Sequence, residues 1–331
     1  MPPYKCLVLP RSKMKPNRRK PLSLSLSLSL SVQHGGMILN PRMVGSGETT
    51  LILSHGYGGS QAIWDKMLPH LSRRNKVFLF DWDFTGSTAA DEAEEGEHGR
   101  YTFSRFADEL VALMDKMKLR NVVYIGHSMA GMVGCIASIK RPELFSQLVL
   151  VGASPRYMNS ADYEGGFEAS DIEAMLDRIS SDFRGWAEGF VPLAVGSADP
   201  WAVERLARSF FAMNPRVAYA LARMIFLGDQ RHVLDHVAVP CTLVHVSRDF
   251  AAPPCVGRYM QARMQAARCA AVAMETIDSV GHFPQLVAPD ALFQILNLVL
   301  GSGRNGEKVG PADAEVNSGD IGMAPQSKLL V

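Results

Sequence analysis

Ser128 stands in Gly126-His127-Ser128-Met129-Ala130-Gly131, directly after the apolar run 121–125 and directly before a helical pattern. A serine on a sharp strand-to-helix turn exposes its hydroxyl, and small neighbours let the strand and helix approach each other. The fifth position of this turn is Ala130, with glycine one step late at Gly131, and an ordinary helix-capping serine is the other reading of the same residues. A hydroxyl becomes a nucleophile when a base takes its proton and an acid orients the base. His282, in Ser279-Val280-Gly281-His282-Phe283-Pro284, follows a strand-like run ending at Ile277, and Asp249 follows another ending at Val246. Two further acids compete for the orienting role: Asp278, very close along the chain to His282, and Asp81, at a strand end before the serine. Upstream, Ser54-His55-Gly56-Tyr57-Gly58-Gly59 ends a further apolar run. A turn there would aim the Tyr57 N–H at an oxyanion, with the Met129 N–H as second donor, while a plain tight turn is the alternative for His55-Gly56. The chemistry these residues would perform is nucleophilic attack on an ester-type carbonyl.

Such groups need a frame that holds them at one edge. Short β-branched runs at 50–54, 76–81, 121–125, 147–151, 241–246 and 271–277 alternate with helical patterns at 60–72, 101–118, 130–140, 254–267 and 286–300. Strands of that kind separated by helices predict an α/β fold, a mostly parallel sheet covered on both faces, with 38–45 as an added antiparallel strand. The order Ser128, Asp249, His282, each after its own strand, is the order of the α/β-hydrolase fold. From about 159 to 232 the strand signal stops and four helices are predicted, near 170–180, 181–195, 199–213 and 214–227. Ser170-Asp171-Ile172-Glu173 reads as a capping box, and Asp199-Pro200 and Asn214-Pro215 each place a capping side chain before a proline. An all-helical insertion in a parallel sheet is most simply a cap over the edge where ligands bind. The cap is rich in aromatic side chains, so a pocket beneath it should be apolar and take a compact hydrophobic ligand.

Composition narrows the function. The 331 residues carry 34 Lys+Arg against 33 Asp+Glu, and 47% are hydrophobic. That balance gives no electrostatic reason to expect nucleic acid or a membrane surface as partner. No apolar run approaches the roughly 20 residues of a transmembrane helix. The cysteines (Cys6, Cys135, Cys241, Cys255, Cys269) are scattered, with no metal-type spacing, and no Gly-rich phosphate loop follows the first strand, so no metal or other cofactor is expected. His127 is expected to pack beside the turn, His245 to lie within a strand, and His232 and His236 to flank the end of the cap. The chain divides into an extension over 1–36, a catalytic domain over 37–300 with the cap inside it, and a solvated tail over 301–331. Residues 1–36 hold no acid and run Leu-Ser-Leu-Ser, the pattern of low-complexity sequence, with an organelle transit peptide as the alternative.

Several motifs resemble the plant strigolactone and karrikin receptors, the DWARF-fourteen and KARRIKIN-INSENSITIVE-two group of α/β-hydrolases. They are Gly126-His-Ser-Met-Ala-Gly131, Ile139-Lys-Arg-Pro-Glu-Leu-Phe145, Gly152-Ala-Ser-Pro-Arg156, the Trp186–Gly196 stretch and Gly281-His-Phe-Pro-Gln285. The likeness covers about 38–298. Asp81-Trp-Asp-Phe-Thr-Gly86 and the Tyr157–Phe167 stretch look more like the DWARF-fourteen-like-two branch. The resemblance implies a triad of Ser128, Asp249 and His282, oxyanion donors Tyr57 and Met129, and His127, Trp186, Phe190, Phe211 and Phe226 as pocket lining. It further implies slow cleavage of a butenolide enol ether, a monomer, an F-box protein and Clp-like repressors as partners, and a location in cytoplasm and nucleus, while the composition of residues 1–36 gives the plastid as the alternative. A ligand-binding signalling protein with incidental hydrolysis and a general metabolic carboxylesterase share the same residues and stay open.

Overall fold

Seven short strands rich in Val, Ile, Leu and Phe build one sheet. They are β1 (Ile38–Val44), β2 (Thr49–Ser54), β3 (Asn75–Trp82), β4 (Val122–His127), β5 (Phe145–Val151), β6 (Cys241–Arg248) and β7 (Val272–Val280). The order across the sheet is β1-β3-β2-β4-β5-β6-β7; β1 runs antiparallel to β3 and every other pairing is parallel. The computed structural model describes residues 37–87, 101–267 and 269–302. The extension at 1–36 and most of the tail lie outside that range, and the helix expected to end at 300 runs on to Ser302.

The central strands β2, β4 and β5 lack polar alternation because both of their faces are covered. Helices α2 (Phe103–Lys116), α3 (Met129–Lys140), α8 (Pro254–Ala266) and α10 (Pro289–Ser302) follow the sheet strands, as the alternation predicts. Two expected helices are broken. The 60–72 pattern forms a 3₁₀ turn at Gln61–Trp64 and a single turn α1 (Leu68–Leu71), because Pro69 has no N–H with which to continue a ladder. Likewise 286–300 is preceded by a separate turn α9 (Pro284–Val287), which stops where Pro289 begins α10.

Between β5 and β6 stand α4 (Ala169–Ser181), α5 (Phe183–Val195), α6 (Pro200–Phe211) and α7 (Pro215–Leu227). Asp199 and Asn214 cap α6 and α7 by accepting from the N–H groups of Trp201 and Arg216. The Ser170 capping box is not formed: α4 begins one residue before it, Glu168 is the N-cap, and Ser170 lies inside the first turn. The two ends of the insertion are tied together at its base, where Arg156 bonds Asp229 at 2.8 Å and Arg231 joins the same carboxylate.

Chain direction positions the site. From β2 the chain moves outward to β3 and then crosses back to β4 on the other side of β2, so the order reverses between β2 and β4. A crevice opens beyond the carboxyl ends of the strands at such a reversal. His55-Gly56 leaves β2 and Ser128 leaves β4 at that point, with Ser54 beside Gly126 in the register. Truncating the α7 cap, Asn214→Ala, should lower stability by about 1 kcal/mol. A urea titration should show this as a shifted midpoint with an unchanged slope.

Candidate active site

The turn after β4 holds Ser128 at φ 56 and ψ −125, a conformation that L-residues seldom adopt. Its N–H donates to the Val151 carbonyl at 2.8 Å and its carbonyl accepts from Gly131, so both backbone groups are fixed. The late glycine of the motif now has a reason. A Cβ at Gly131 would lie 2.5 Å from the Ala153 side chain, so the close approach to the β5 loop falls at position 131. Ala130 is free to carry a methyl group, and its carbonyl takes the Tyr124 hydroxyl at 2.8 Å.

Asp249 and His282 come together behind this turn. His282 Nδ1 lies 2.7 Å from Asp249 Oδ2, with 8% and 0% side-chain exposure. The other carboxylate oxygen accepts the N–H groups of Ala251 at 2.8 Å and Ala252 at 3.1 Å, which fixes its rotation. A buried carboxylate needs such donors to remain charged. The competing acids are elsewhere: Asp278 is exposed and held by Ser247 and Arg248, and Asp81 accepts from Gln61 and Asn40. The loop carrying His282 is pinned to the cap, because the His282 N–H donates to Ala194 of α5 at 2.7 Å. Gly281 at φ +93 permits this approach; a Cβ there would lie 2.2 Å from the Val195 carbonyl oxygen.

The two N–H groups expected to hold an oxyanion, those of Tyr57 and Met129, have no hydrogen-bond partner among the described residues. Met129 opens α3, where the first N–H groups have no partner within the helix. The Tyr57 side chain points away into the cap and donates to the Ala218 carbonyl of α7 at 3.1 Å. Ser128 Oγ itself lies 3.2 Å from the Tyr157 hydroxyl. Burial drives the Tyr157 phenol upward from its usual range, so it stays a neutral hydroxyl at any ordinary pH.

An aromatic wall runs from one end of the site to the other. Tyr57 meets Phe210 edge-on at 5.6 Å, Phe210 meets Trp186 at 6.1 Å and Phe190 at 5.6 Å, and Trp186 stacks on Phe190 at 4.6 Å. Phe190 then touches Phe250, Phe250 touches Phe167, and Phe226 lies 5.2 Å from Tyr157. Trp186, Phe190 and Phe226 therefore share one wall. Phe211 stands outside it, 37% exposed, with the Arg184 guanidinium 4.6 Å over its ring. Phe210 takes the inner place, because α6 buries Ala202, Leu206 and Phe210 at four-residue intervals and the next residue turns to another face.

The remaining histidines are placed by their partners. His127 Nε2 lies 2.8 Å from the His282 carbonyl, which can only accept, so Nε2 carries the proton and the ring buttresses the His282 loop. Burial, reinforced by the neighbouring His282, drives its pKa well below the usual value. His55 accepts the Trp82 N–H at 3.0 Å, and burial lowers its pKa as well. His245 bonds the Ala252 carbonyl beneath the Asp249 loop, while His232 and His236 are exposed. Among the described residues no group of His, Cys, Asp or Glu is arranged to hold a metal ion.

Comparison with known proteins places this geometry. The sequence profile described as alpha/beta hydrolase fold matches residues 49–289. The chain is 38% identical over 263 residues to strigolactone esterase D14 of Arabidopsis thaliana, covering 79% of this chain and 96% of that one. It is 37% identical over 258 residues to the karrikin insensitive 2 receptor CA of Petunia hybrida, covering 78% and 93%. Among solved structures, a hydrolase from Oleispira antarctica superposes with a TM-score of 0.73 at 28% identity, over 80% of this chain and 94% of that one.

Ser128 Oγ and the Tyr157 hydroxyl share a hydrogen bond in which either oxygen can be the donor, and either way it engages the serine oxygen. Tyr157→Phe keeps the ring in the wall and removes that hydrogen bond, which at about 1 kcal/mol for a neutral hydrogen bond should raise kcat about fivefold. Steady-state hydrolysis of p-nitrophenyl acetate measures this, and a fall in kcat would contradict it.

Proposed function

This chain belongs to the α/β-hydrolase family, and on that premise we infer that it is a slow serine hydrolase of butenolide esters and enol ethers, with Ser128, His282 and Asp249 as its catalytic triad. The observation that carries the reading is the buried 2.7 Å contact between His282 and Asp249 beside the strained Ser128 turn. Ser128 Oγ attacks the lactone carbonyl while His282 accepts its proton, and Asp249 holds the imidazole in the tautomer whose Nε2 is free to accept. The open N–H groups of Tyr57 and Met129 receive the negative charge that develops on the carbonyl oxygen. His282 then returns the proton to the leaving oxygen, and water releases the acyl group from Ser128 by the same steps.

The substrate class follows from the wall. Trp186, Phe190, Phe210, Phe226 and Phe250 present ring faces and edges with no charged group among them, which suits a compact, uncharged ring system. The relatives' names point the same way, to strigolactones and karrikins as the ligands of those proteins. Slow turnover fits a nucleophile that rests on Tyr157. A receptor role, with an F-box protein and Clp-like repressors as partners in cytoplasm and nucleus, rests on the family resemblance and on a cap whose α5 bonds directly to the His282 loop.

The reading is tested with the two enantiomers of a synthetic butenolide strigolactone, following release of the butenolide ring and the thermal midpoint in wild type and Ser128→Ala. One enantiomer should be cleaved slowly and shift the midpoint, and Ser128→Ala should abolish release. If neither enantiomer is cleaved while simple aryl esters turn over fast, the protein is a general esterase. Asp249→Asn presents an amide to the imidazole and stabilises the wrong tautomer, so kcat should fall on the order of 10³-fold or more with the fold intact by circular dichroism.

A further inference from the structure

Three thiols converge at the end of the sheet remote from the active site, where the proposed reaction makes no use of them. Cys241 opens β6, Cys269 lies on the connection from α8 to β7, and Cys135 is buried in α3. The Cys241 and Cys269 sulfurs share one acceptor, the Val239 carbonyl oxygen, at 3.4 and 3.1 Å. The backbone holds them there: Cys241 N–H donates to Ala271 at 2.8 Å, Cys241 pairs with Val272 in the sheet register, and Cys269 N–H donates to Met264 at 3.0 Å.

The pair is asymmetric in two independent ways. Cys241 is 2% exposed, whereas Cys269 is partly open to solvent. The neighbouring Cys241 thiol draws the Cys269 pKa down to about 7, and the pKa of Cys241 is pushed well above its usual value by Cys269 and by burial. Burial pushes Cys135 up to about 12, so it remains a thiol, and Cys255 is shifted upward for the same reason. A thiolate-forming, accessible cysteine beside a protonated, buried one is the arrangement of an attacking and a resolving sulfur.

We propose that Cys269 and Cys241 form a peroxide-sensitive dithiol, an oxidation site separate from the hydrolytic centre. The Cys269 thiolate attacks one oxygen of hydrogen peroxide, breaking the O–O bond, so that the sulfur becomes a sulfenic acid and hydroxide leaves. The Cys241 thiol then attacks the sulfenic sulfur, the S–O bond breaks, and a disulfide forms with release of water. The two thiols lose two electrons and the peroxide gains them. The link joins the starts of β6 and β7, the two strands whose far ends lead to Asp249 and His282. It therefore changes stability and leaves the hydrolytic site in place.

The experiment uses the full reduced chain treated with a small excess of hydrogen peroxide at pH 7, quenched with N-ethylmaleimide and mapped by mass spectrometry without reduction. A linked Cys241–Cys269 peptide, lost on adding dithiothreitol, is expected. Cys241→Ser should stop at a Cys269 sulfenic acid trapped by dimedone, Cys269→Ser should give neither product, and Cys135→Ala should leave the link unchanged. In untreated protein at pH 7, iodoacetamide should modify Cys269 at least about tenfold faster than Cys255, an advantage that Cys241→Ser should largely abolish. Ester hydrolysis should stay within about twofold after oxidation, while the thermal midpoint rises because the closed loop restricts the unfolded chain. A link through Cys135 or Cys255, a link between two chains, or Cys269 no faster than Cys255 would overturn the proposal.

Discussion

A carboxylate held charged inside an apolar core is the constraint on which the site is built. Asp249 has no exposed side-chain surface, and its charge is stabilised by two backbone N–H donors and the His282 ring. Removing any one of these would leave a buried charge short of a partner, which is far costlier than an unmade surface contact. The loop at 249–252 therefore adopts the shape that turns its N–H groups inward. The loop at 281–283 must reach the cap without a side chain at Gly281, and His127 must spend its one ring proton on the His282 carbonyl.

The cap is part of the same arrangement. The Ala194 carbonyl of α5 accepts the His282 N–H, and the Ala218 carbonyl of α7 accepts the Tyr57 hydroxyl. The His282 loop and the Tyr57 turn are thus each bonded to a different cap helix. The aromatic wall spans the interval between them and closes on Tyr157, whose hydroxyl reaches Ser128. Packed interfaces of this kind shift between discrete arrangements more readily than they deform continuously.

Much of this frame is legible in the sequence, and what is not has identifiable causes. The central strands β2, β4 and β5 announce themselves because burial on both faces requires apolar runs, whereas the edge strand β7 is largely exposed and carries polar residues; Ser128, Asp249 and His282 each follow a strand end. Asp249 is favoured over Asp278 and Asp81 by chain order and strand-end position alone, and the backbone donors that hold its carboxylate in the interior appear only in the structure. Tyr157 opens a stretch that carries the family resemblance, yet its contact with Ser128 Oγ appears only when the segment after β5 folds over the serine. Phe210 was within reach of the four-residue spacing Ala202, Leu206, Phe210, a local signal that points away from Phe211. Ser170 illustrates the opposite case, a good capping pattern overridden because the helix starts earlier.

The central claim is that Ser128, His282 and Asp249 act as one unit. The most direct test is a multiple-mutant cycle on kcat/KM for a small aryl ester, using Ser128→Ala, His282→Ala, Asp249→Asn and their combinations. Residues that act as a unit are strongly non-additive. The account predicts that the triple variant is no slower than Ser128→Ala alone, within about threefold. Losses that multiply across the three positions would contradict it.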